Sequence, residues 1–158
     1  MPEQNCVLLP EIEDAVRDRL TGAAQKDTLD FIAFARERGV SFKGFETEGQ
    51  VMWDPTYNDK GFGCVIVADQ FMFFLGLDWR FDDSGGADEE LKAFVRKHVA
   101  VCPQEPCEPP YCQGDNHSHN RWHIFGMDYE STCHAPLQFI GPDADALGQM
   151  KKLLLMTV

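Results

Sequence analysis

Residues 62–79 read FGCVIVADQFMFFLGLDW, and the way this run divides decides the fold. Asp69 and Gln70 interrupt an otherwise apolar stretch, so it splits into two strands joined near that pair. Near-continuous apolar character marks strands in the middle of a sheet, covered on both faces or on one face plus a partner. Two uses compete for Phe71, Phe73 and Leu75: the core of this chain, or the surface of a homodimer. Apolar runs are usually buried, which favours the core.

Upstream of that run, VSFKGFETEGQVMWD at 40–54 is rich in aromatic and β-branched residues. It predicts two strands around Glu48-Gly49, followed by a turn cluster, PTYNDKG, at 55–61. Further back, Ile12, Val16 and Leu20 repeat at helical spacing behind Pro10. Thr21 suits the cap of a second helix running to Arg38, with Ala24, Thr28, Phe31, Ile32 and Ala35 on its buried face. Gly39 stands where a helix-ending glycine belongs.

Downstream, acids precede Leu91, Phe94, Val95 and His98 and predict a helix over about 88–101. RWHIFGMDYE at 121–130 and PLQFI at 136–140 read as two more strands. The chain closes on a helix with early acids, the late pair Lys151-Lys152, and a stripe of Leu147, Met150 and Leu154. The expected fold class is α+β: a mostly antiparallel sheet packed by N-terminal, middle and C-terminal helices. With no internal repeat and no Gly/Ser linker, residues 1–158 read as a single domain.

Charge narrows the function. Fourteen basic residues face 26 acidic ones, a net charge of -12 with histidine neutral. Nucleic acids and acidic membranes attract basic surfaces, so neither is an expected partner. No apolar run approaches the ~18 residues of a membrane helix. The first residues lack the basic and apolar pattern of a secretory leader. A cytoplasmic location is therefore expected, and there clustered cysteines more often bind metal than pair as disulfides.

That expectation bears on CPQEPCEPPYCQGDNHSHNRWH at 102–123. An irregular stretch of that length is uncommon in a compact domain unless it is functional or disordered. It has almost no apolar residue before Trp122 with which to pack. Cys102, Cys107 and Cys112 form C-x4-C-x4-C, and Cys133 follows just after the strand expected at 121–130. Four thiolates around a tetrahedral ion describe a closed, structural zinc site. The same four sulfurs suit an iron–sulfur cluster, the less favoured occupant. Other readings stay open: a mixed shell using His117, His119, His123 or His134, disulfides, or free thiols. A closed shell points to a binding or interaction module. The alternative is an enzyme with a reactive cysteine or an open Cys/His metal position.

The other candidates have plainer readings. Cys133 and His134 are neighbours on a strand and would point apart, which argues against a catalytic dyad. Cys64 reads as a small buried hydrophobe, and His98 as a satisfied interior histidine. Glu46 with Glu48, and Asp82 with Asp83, fall near turns and read as solvated pairs. Trp53, Trp79 and Trp122, with Tyr57 and Phe62, read as core rather than as the lining of a pocket. The phosphate-loop, dinucleotide, nucleophile-elbow and HExxH signatures are all missing from the sequence.

Overall fold

The computed structural model describes residues 8–76, 86–101, 121–130 and 132–156. Two helices come first, α1 (Ile12–Arg19) and α2 (Gly22–Glu37). The strands β1 (Ser41–Thr47), β2 (Gln50–Tyr57), β3 (Lys60–Gly61), β4 (Gly63–Val67) and β5 (Phe71–Leu75) follow. Then come α3 (Glu89–Lys97), β6 (Val99–Val101), β7 (Trp122–Ile124), β8 (Met127–Tyr129), β9 (Thr132–Ile140) and α4 (Ala144–Leu155). The architecture is α+β, as the residue pattern predicts. Seven strands form one sheet in the order β1-β2-β4-β5-β9-β6, with β3 on β2, while β7 and β8 pair separately. Every pairing is antiparallel.

The run at 62–79 forms the middle of this sheet. β4 and β5 pair from Gly63↔Leu75 to Val67↔Phe71, and all five residues of β5 are buried. Alternation divides them between two faces. Phe71, Phe73 and Leu75 join Val65, Val67 and Phe139 in the main core beneath the helices. Phe31 of α2 meets Phe71 and Phe73 edge-on, with centroids 6.1 and 5.9 Å away. Those three side chains therefore serve this chain's own core rather than a dimer surface. Ile66, Met72 and Phe74 form a smaller cluster with Met52 and Cys64 on the other face.

Local chemistry explains the ends of the elements. Gly39 (φ 86) closes α2: its N–H donates to the Arg36 carbonyl, and the Val40 N–H donates to that of Ala35. This is the doubly bonded helix stop that a left-handed glycine permits. The carboxylates of Asp88 and Asp143 accept from the backbone N–H groups of Leu91 and Ala146 at 2.7 and 2.8 Å, capping α3 and α4. Thr21 occupies the cap position of α2 without a side-chain bond; Gln25 instead donates to the carbonyls of Leu20 and Arg17. Thr28, Phe31, Ile32 and Ala35 are buried as expected, whereas Ala24 is exposed, because the first turn of α2 extends past the core.

Three two-residue hairpins carry positive φ at both central residues: Glu48-Gly49, Asn58-Asp59 and Phe125-Gly126. That geometry matches the twist of the flanking strands. Two expectations change here. The turn cluster at 55–61 narrows to Asn58-Asp59, because Thr56 and Tyr57 extend β2. The strand expected at 121–130 folds back on itself as β7 and β8.

The helix expected over 88–101 stops at Lys97, with His98 at its cap. Val99–Val101 leaves it to become the edge strand β6. β-branched residues beside an unpaired strand gain more from the ladder than from another helical turn.

β9 is longer than PLQFI alone implies. Its partner residues on β6 run Val99↔Leu137 and then Val101↔Thr132, so β6 advances two residues while β9 advances five. Pro136 sits in this slack, where a missing N–H costs no ladder bond.

Candidate metal centre

β6 and β9 are neighbouring antiparallel strands, and everything from 102 to 131 is an excursion between them. Val101, the residue before Cys102, is the register partner of Thr132, the residue before Cys133. The point where the chain enters the Cys/Pro stretch thus lies beside the strand bearing the fourth cysteine. Along the backbone, Cys133 stands at the start of the register shift between β6 and β9. Cys102, Cys107, Cys112, His117 and His119 lie outside the described residues. For Cys133 and His134 the structure describes the strand backbone alone. The described residues therefore hold a single cysteine of the expected set, and only its backbone. Among the described residues, no three His, Cys, Asp or Glu side chains gather as a metal site.

Inside the excursion, β7 and β8 dock on the main core. Ile124 and Phe125 are fully buried, and Trp122 and Tyr129 pack against the same cluster. Phe125 adopts a left-handed backbone (φ 44), a costly conformation for a bulky residue. Its ring is 1% exposed and its carbonyl accepts from Arg96 Nη2 at 2.9 Å, so burial and a charged donor offset the strain. Arg96 Nε, buried beside it, has no hydrogen-bond partner among the described residues.

On the opposite side of this hairpin, His123 and Asp128 face each other in register. His123 Nδ1 lies 2.7 Å from Asp128 Oδ1, with both side chains exposed. A carboxylate on one ring nitrogen orients the imidazole and leaves Nε2 free, the arrangement of many metal-bound histidines. It is also an ordinary surface pair of small energetic weight. Sequence reasoning named His123 but missed Asp128. The available signal was the Phe125-Gly126 turn, which sets residues 123 and 128 opposite one another.

The remaining candidates take the plainer reading. His98 Nδ1 is 2.8 Å from the Phe94 carbonyl oxygen, and its ring lies against Phe94 and Phe139 at centroid distances of 4.4 and 5.0 Å. It is a half-buried histidine with a partner, less interior than the residue pattern predicts.

Cys64 lies 3.8 Å from Met52 Sδ on the second sheet face. Burial, reinforced by the Asp54 charge, pushes its thiol up to about 11. A thiol held that high is mostly protonated at neutral pH and is a poor nucleophile. Burial also raises the Asp54 carboxyl, against the pull of Lys43. Trp53 and Phe62 are core residues, and Trp53 Nε1 donates to the Pro10 carbonyl at 3.2 Å. Glu46 and Glu48 are exposed at the β1–β2 turn; Trp79, Asp82 and Asp83 lie outside the described residues. No helix among the described residues is long and apolar enough to cross a membrane. Compared with family models, with curated proteins and with solved structures, the chain matches none, so no activity carries over to it from a relative.

Proposed function

We propose that this chain is a non-enzymatic binding or interaction module whose 102–131 excursion is held by a structural zinc ion on Cys102, Cys107, Cys112 and Cys133. The observation that carries the reading is the pairing of Val101 with Thr132, which joins the two ends of the excursion at one stem. A metal near that stem has to gather only one further loop, and the prolines at 103, 106, 109 and 110 lower the entropy lost in doing so. Four thiolates leave no position for water or substrate, so the ion acts as a staple. The thiolates require a reducing setting such as the cytoplasm. With a net charge of -12, the partner is neither nucleic acid nor an acidic membrane. A second copy of the chain remains a candidate partner, through a surface other than Phe71, Phe73 and Leu75.

A second reading is favoured by the His123–Asp128 pair. There His123 Nε2 and two of the thiolates would form a three-ligand shell, and its open position would make the ion a Lewis acid for hydrolytic chemistry.

Metal analysis with thiol titration of the purified protein tests both readings. About one metal ion per chain is expected. A ratio near zero with all six cysteines titrating as free thiols overturns them together. His123→Gln separates them: the four-thiolate site keeps its metal, while the mixed site loses it. Cys107→Ser, or a chelator, is expected to bring the first protease cuts between 103 and 121. Unchanged resistance of chelated protein contradicts the staple.

A further inference from the structure

We draw no further inference here: the strongest candidate, the apolar strip of Met52, Cys64, Ile66, Met72 and Phe74 on the sheet face turned away from the helices, carries nothing, because nothing among the described residues shows what covers it.

Discussion

β4–β5 and β7–β8 are both antiparallel hairpins, yet different forces hold them. In β5 every side chain is buried, and its neighbours on both sides are strands of the same sheet. Many small dispersion contacts, none indispensable alone, sum to its stability. The β7–β8 hairpin pairs with no other strand among the described residues. It depends on Ile124, Phe125 and the guanidinium of Arg96, and the Phe125 backbone is strained. The first hairpin is part of the scaffold, whereas the second sits on the scaffold and presents polar groups to solvent. Segments of the second kind open at lower free energy, which suits binding surfaces.

The contrast can be broken at its strong end first. Phe73, 3% exposed and ringed by Phe31, Phe62 and Phe71, is expected to cost about 3–5 kcal/mol on truncation to alanine, read by urea denaturation. A loss below about 1 kcal/mol would mean that the two hairpins are supported alike. Gly63→Ala comes next. A Cβ there would lie 2.1 Å from the Phe74 carbonyl oxygen, a backbone atom with no freedom to swing aside. The two strands must separate, at a cost of about 1–3 kcal/mol in the same assay.

At the weaker hairpin, Arg96→Ala removes the donor to the Phe125 carbonyl. We expect faster amide exchange confined to 122–129, and a loss of about 1–2 kcal/mol in the free energy of local opening with the global stability little changed. Exchange that rises equally in β4 and β5 would erase the distinction between the regions.

The smallest effect belongs to the α1–α2 contact. Arg36 binds Glu13 through Nε and, at 3.0 Å, through Nη2, and reaches Glu11 at 3.3 Å. Burial pushes the Glu13 carboxyl up, but the hydrogen bond and charge of Arg36 outweigh it and hold the carboxyl below its usual range. A carboxylate whose pKa falls on folding stabilises the fold above its unfolded value near 4.5, and that contribution fades as pH drops through the folded value. Glu13→Gln is therefore expected to lose less than about 1 kcal/mol at neutral pH, since water screens this partly exposed pair. The gap between variant and parent closes as the pH of the denaturation series falls below about 4.5.

Long apolar or periodic segments were legible from the residues alone. The β5 run, the α2 stripe through Phe31, and α4 with Leu147, Met150 and Leu154 all declare their burial through spacing. The site was less legible. Cys102, Cys107, Cys112 and Cys133 advertise sulfur chemistry by type and interval, but nothing local says what lies beside 102. Its chain neighbour Val101 looks like the tail of a helix until β9 offers it a ladder. Asp128 likewise takes on meaning only when the turn at Phe125-Gly126 brings it to His123.

The sequence by itself determined which faces are apolar, where most helices start and stop, and that the cysteines cluster, because burial, capping and composition are properties of short windows. Only the tertiary structure decided that β9 enters between β5 and β6, that 99–101 is strand rather than helix, and that the two ends of the excursion share a stem. Those outcomes depend on hydrogen bonds to residues dozens of positions away, and a strand's edge has no partner until the fold supplies one.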